Sequence, residues 1–145
     1  MEKTINAKDY LTQIRAIHIR LKSLARQRQS LEDALYNISP VLSHTPHSAS
    51  PDVHRMDGLI AAKLDIETEM EAESRRLAEI HKTIAAVQGR FLGAVLTARY
   101  VEQIQWPDIA RELYISESRA YQLHREALAE VEKALRERER GLDCA

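Results

Sequence analysis

The chain has few of the residues that staple or punctuate a small fold. Its 145 residues include one cysteine, Cys144, beside the C-terminus. A lone thiol cannot close a disulfide within the chain or build a cysteine zinc site, and it fits a reducing compartment. Aromatic residues make up 5%, and there are four Gly and four Pro, a composition that goes with long helices. No window approaches the ~20 consecutive apolar residues of a membrane span. The opening MEKTINAKDY lacks the apolar centre of a signal peptide. A cytoplasmic protein with no membrane partner is therefore expected. Neither sign of charge dominates: 21 Lys and Arg face 22 Asp and Glu, a net charge of −1. That excludes a uniformly basic nucleic-acid coat. The charge is uneven, however, with net +3 over residues 1–38, −3 over 39–87 and −1 over 88–145.

What the chain does have is apolar periodicity. Apolar residues make up 44% and charged residues 30%, enough for a core flanked by ion-paired helix faces. From Tyr10 the positions Ile14, Ile17, Leu21, Leu24, Arg28, Leu31, Leu35 and Ile38 follow in alternating steps of four and three. That is a heptad seam, the pattern of a coiled-coil helix over about residues 7–38. The stretch SPVLSHTPHSASPD, residues 39–52, holds three prolines and four serines and is expected to be a loop. Asp52 is placed to cap the next helix. A second seam follows over residues 53–87, through Met56, Leu59, Lys63, Ile66, Met70, Glu73, Leu77, Ile80, Ile84 and Val87.

Two such helices on one loop should fold back as an antiparallel hairpin, with Ile38 near Met56, Leu24 near Met70 and Ile14 near Ile80. Lys63 and Glu73 are expected to reach solvent along their stems. Arg28 either does the same or pairs with a Glu of the second helix. Leu11, Leu42 and Leu64 lie off the seam and suggest self-association, as a homodimer or higher homo-oligomer.

After Gly89 the pattern shortens. Phe91, Leu92, Val95, Leu96 and Tyr100 mark a helix of about three turns. Then comes WPDIARELYISESRAYQLHREAL, residues 106–128. Pro107 suits a helix start. Ile109, Ala110 and Leu113 form an apolar stripe, Tyr114 and Ile115 the turn, and Ser116 a helix N-cap. Ala120, Leu123, Ala127, Leu128 and Val131 give the next helix a core face. Apolar helix, small Ala110, short turn and capped helix are the layout of a helix-turn-helix. Two helices packed for structure alone, with a solvated polar face, would show the same spacing. Arg can fork onto guanine and Gln can pair with adenine, while Ser and Tyr hydroxyls suit phosphates. Ser116, Ser118, Arg119, Tyr121, Gln122 and Arg125 are therefore the candidate DNA-contacting residues.

The segment GRFLGAVLTARYVEQIQWPDIARELYISESRAYQLHREALAEVEKAL resembles region 4 of bacterial sigma factors. Leu96, Arg99 and Tyr100 match its L-x-x-R-Y helix. Trp106 to Ala110 match W-x-x-I-A, followed by I-S-E-S and R-A-Y-Q-L-H. The whole layout, a hairpin and then this motif, resembles phage-encoded late-gene regulators of the RinA and ArpU type. The resemblance implies transcriptional control through double-stranded DNA in a bacterial host cell. It departs from the sigma pattern in two places. Tyr114 stands where the turn usually has Gly, and Tyr121 and Glu126 stand in a helix usually richer in Arg and Lys.

Other chemistry is weakly represented. His44, His47 and His54 near the loop lack a third ordered ligand and read as solvated side chains. His18 and His81 flank the seams, and His124 either touches phosphate or packs. The acidic run from Asp65 to Glu73 points to different sides of a helix. With no nucleophile set and no phosphate-cradling Gly loop, neither an enzyme nor a cofactor is expected.

The expectation is thus an all-α protein in two parts. Residues 1–88 form a long antiparallel coiled-coil hairpin. Residues 89–145 form a small three-helix, helix-turn-helix domain whose last helix extends as a charged tail, with helix 117–131 reading promoter DNA. Two alternatives remain open. One is an adaptor that binds RNA polymerase or a host factor through the coiled coil. The other is a binder of phage packaging sites like a small terminase subunit.

Overall fold

The computed structural model describes residues 6–44 and 51–143, with the side chains of 6–38 and 53–141. The protein is all-α. Its helices are α1 (Ala7–His44), α2 (Pro51–Ala85), α3 (Leu92–Leu96), α4 (Trp106–Leu113) and α5 (Glu117–Asp143). A π-helical turn, Thr97–Val101, directly continues α3. Among the described residues there is no strand, and no helix is long and apolar enough to cross a membrane.

The loop is shorter than its prolines suggest. The first helix runs past Ser39 and Pro40 to His44, and the second starts at Pro51, so Asp52 lies inside the first turn rather than at the cap. A proline lacks one N–H, which removes the helical bond to residue 36 but leaves the next turn able to form. Pro51 suits a helix start, where its missing donor has no helical partner to lose. Residues 45–50, with His47, lie outside the described residues, as do the side chains of Leu42 and His44.

The chain forms two compact units, and they do not divide near residue 88. One is Ile17–Arg75; the other joins Met1–Ala16 to Arg76–Ala145. In the Ile17–Arg75 unit, α1 and α2 run antiparallel in the expected register. Arg20 pairs with Glu69 at 2.8 Å, and Lys63 reaches Glu32 at 3.4 Å. Ile17, Leu24 and Ile38 are buried, and Leu21, Leu31, Leu35, Met56, Leu59, Ile66 and Met70 are half-buried. Arg28 turns to Glu32 of its own helix, at 3.9 Å, and Lys63 makes the ion pair across the seam. A two-helix unit buries one face of each helix. Ile19, Tyr36, Ile60 and Leu64 stay exposed, Leu64 at 58%.

The other unit holds most of the buried residues. From the start of α1 come Ala7, Leu11 and Ile14, and from the end of α2 come Ile80, Thr83 and Ile84. Leu92, Val95, Leu96, Ala98, Tyr100, Ile109, Ala110, Ala120, Leu123, Ala127, Val131 and Leu135 complete the core. Leu11, expected to be left over for self-association, is fully buried here. The seam alone assigned it no partner, because a seam names a helix face and not what covers it. Phe91 was expected in the short helix but precedes it with φ 71° and stays 41% exposed.

The end of α5 is not a free charged tail. Val131 and Leu135 are buried, and Arg138 reaches Glu79 at 3.6 Å and Thr83 Oγ1 at 3.1 Å. Thr83 is 1% exposed, and its hydroxyl donates to the Glu79 carbonyl. That leaves its lone pairs to accept from Arg138 and from the Tyr10 hydroxyl, 3.0 Å away. One side chain thereby ties α1, α2 and α5 together.

Candidate nucleic-acid interface

The helix-turn-helix geometry is built locally. Gln105 is extended (φ −75°, ψ 151°), and its carbonyl accepts from the N–H of Asp108 and Ile109, so α4 begins at Trp106. At the other end Tyr114 adopts the left-handed conformation, φ 57° and ψ 42°. The Ile115 N–H closes back onto the Ala110 carbonyl at 3.0 Å, the C-terminal lock that left-handed residues make possible. The turn therefore keeps the backbone that glycine usually supplies, at a strain of roughly 1 kcal/mol. Tyr114 is 95% exposed, so its ring gains no packing in return.

Ser116 caps α5. Its Oγ accepts the Arg119 N–H at 3.1 Å, and its carbonyl accepts the Ala120 N–H. Ala110, Ala120 and Leu123 are buried where α4 and α5 pack, and the small alanines allow the close approach. Ser116, Ser118, Arg119, Tyr121, Gln122 and Arg125 are all exposed. Helical spacing puts Ser118, Tyr121, Gln122 and Arg125 on one side of α5. Arg119 joins them through a bond from its Nη1 to Gln122 Oε1 at 2.9 Å. Ser116 stands apart, since its oxygen serves the cap. Tyr121 leans on Trp106, with ring centroids 4.7 Å apart.

An aromatic cluster supports this surface. Trp106 meets His124 edge-on at 4.7 Å, and His124 stacks on Tyr100 at 5.7 Å. A 2.7 Å hydrogen bond joins Tyr100 Oη and His124 Nε2. His124 thus packs. Burial is the main cause that lowers its pKa to about 4, helped by the positive charges of Lys8, Arg99 and Arg125. Burial raises the Tyr100 pKa against the opposing charge of Arg99. At neutral pH the pair is uncharged. Arg99 comes from the π-helical turn, lies 5.3 Å from the Trp106 ring centre and donates to the Ile104 carbonyl at 3.2 Å.

Arg99 and Tyr100 stand out in the sequence, but their meeting with Trp106 and His124 does not. Nor do Lys8, Thr12 and Arg15, which line a cleft beside Trp106 from α1. Their spacing of four and three does mark one helix face. Nothing in that spacing, however, reveals a partner some ninety residues away. Among the described residues, no group of three or more His, Cys, Asp or Glu could hold a metal ion.

A family model described as a protein of unknown function, DUF1492, matches residues 50–132. The match takes in α2, α3, the π-helical turn, α4 and the first half of α5, more than half of the chain. No curated protein and no solved structure matches.

Proposed function

The chain belongs to the DUF1492 family, and we propose that it is a DNA-binding transcriptional regulator, a phage or prophage gene activator working in the cytoplasm of a bacterial host. The observation that carries this reading is the turn and the helix after it. Tyr114 holds the left-handed turn, and the Ser116-capped helix offers Ser118, Tyr121, Gln122 and Arg125 to solvent on one side. Residues 117–131 of α5 enter the major groove of promoter DNA, and α4 crosses the backbone. Arg125 and Gln122 read base edges, Arg119 assists through its bond to Gln122, and Ser118 and Tyr121 hold phosphates.

A gel shift with genomic fragments across a salt series tests it. Binding should weaken steeply as salt rises, and the double change Arg119→Ala, Gln122→Ala should weaken specific binding by about tenfold or more. If that double variant binds and regulates like the parent, the assignment of α5 is wrong.

The exposed apolar residues of the hairpin favour a second role beside the first. Ile60 and Leu64, one helical turn apart and both exposed, form the contact of a homodimer or higher homo-oligomer. Two linked contacts raise a modest DNA affinity through effective concentration. In the adaptor form of this reading, the same residues bind RNA polymerase.

A further inference from the structure

The cleft beside Trp106 has a composition that the reading of α5 leaves unused. Its volume is about 300 Å³, and it opens between the first turns of α1, the π-helical turn and the start of α4. Three cations line it, Lys8, Arg15 and Arg99, together with the amide side chains of Gln103 and Gln105. No carboxylate lines it. Among the described residues, none of the three cations has an ion-pair partner.

Arg99 is held in position by the Ile104 carbonyl and the Trp106 ring, so its remaining N–H groups are presented without further ordering. The amides add neutral donors. Lys8 and Arg15 are exposed and can close from α1.

We propose that this cleft binds a phosphate group, carried by the DNA backbone or by a free phosphorylated compound. Three cations without a carboxylate favour a dianion or a phosphodiester over a neutral guest, and forked Arg donors match phosphate oxygens. Burial is the main cause that lowers the His124 pKa, and Lys8 and Arg99 add to it, so both cations act on a ring that lines the cleft. The free-phosphate source is independent of the DNA reading. The backbone source rests on that reading, with α4 laid across the sugar-phosphate chain.

Trp106 is the chain's only tryptophan and lines the cleft, so its fluorescence reports occupancy in the full chain. Sodium phosphate is titrated against sodium chloride at equal ionic strength, and a duplex from the fragments retained in the gel shift is titrated separately. A saturable change specific to phosphate assigns the free source. A change with duplex alone assigns the backbone source. In either arm the double change Lys8→Gln, Arg15→Gln should weaken the response about tenfold while the thermal melt stays in place. No response in either arm, or a response that this variant leaves intact, overturns the proposal. Arg119→Ala, Gln122→Ala separates the two readings. If it abolishes duplex binding while phosphate still moves Trp106, the cleft stands by itself. If duplex binding survives Lys8→Gln, Arg15→Gln and free phosphate is inert, the reading of α5 stands and the cleft proposal falls.

Discussion

Tyr100 and His124 lie 24 residues apart and share a hydrogen bond of 2.7 Å, and the His124 ring meets Trp106 edge-on. The bond fixes the ring of a residue that lies next to Arg125 and one turn from Tyr121 on α5. The shape of the exposed side of α5 is therefore set partly by the π-helical turn that carries Tyr100.

This pair has a pH signature. The folded pKa of His124 is about 4, below its ordinary value of 6.5. The unfolded chain therefore binds the proton more readily than the folded one. The contribution to stability is full above pH 6.5 and is lost as pH falls from there towards 4. His124→Gln keeps a hydrogen-bonding side chain but does not titrate in this range. Urea midpoints measured at pH 7 and pH 5 should differ less in the variant than in the parent, and equal differences would refute the account.

Tyr114 should be replaceable to advantage. Its left-handed backbone carries a strain that a glycine would not, and its exposed ring offers no packing to lose. Tyr114→Gly is expected to stabilise the fold by about 0.5–1 kcal/mol, after allowing for the greater freedom of glycine in the unfolded chain. A lower melting temperature would show that the tyrosine ring makes a contact worth more than the strain.

Thr83 should be costly to lose. Thr83→Val keeps the shape and the branched Cβ but leaves the Tyr10 hydroxyl and Arg138 without their acceptor. The loss should be about 1–3 kcal/mol by chemical denaturation. The paired change Thr83→Val, Tyr10→Phe should cost less than the sum of the two single changes, because both ends of one bond are then removed.

Ile60→Lys, Leu64→Lys tests the hairpin contact. Light scattering of the parent should give at least twice the mass of one chain, and the variant should approach a single chain while retaining its helical circular dichroism. A monomeric parent at working concentration would remove the oligomer from the proposed function.

The helices were legible because their seams were. Ile14, Ile17, Leu24, Ile38, Ile80 and Ile84 are buried as their spacing required, and the antiparallel register followed from one loop joining two long helices. The turn from Leu113 to Ser116 was legible too, since Ser116 does cap α5. Three features were not. Leu11 looked surplus because a stripe names a face, not what covers it. Arg138 looked like part of a solvated tail because the dense charges after Val131 hide the buried Leu135 among them. Phe91 looked like core because hydrophobicity alone cannot show that its backbone turns left-handed before α3 begins. In the candidate site, the exposed set on α5 could be read from spacing. The cleft could not, because Lys8 and Arg15 meet Trp106 only after the whole chain has folded back.

The unit that holds the helix-turn-helix joins two segments far apart in sequence, Met1–Ala16 and Arg76–Ala145. During synthesis, Leu11 and Ile14 leave the ribosome long before Val131 and Leu135 exist to help enclose the same core. The hairpin can zip up early in synthesis, but the core of the other unit can close only once Val131 and Leu135 have been made. A product that stops before Val131 would therefore carry a paired hairpin and an incomplete core in the other unit.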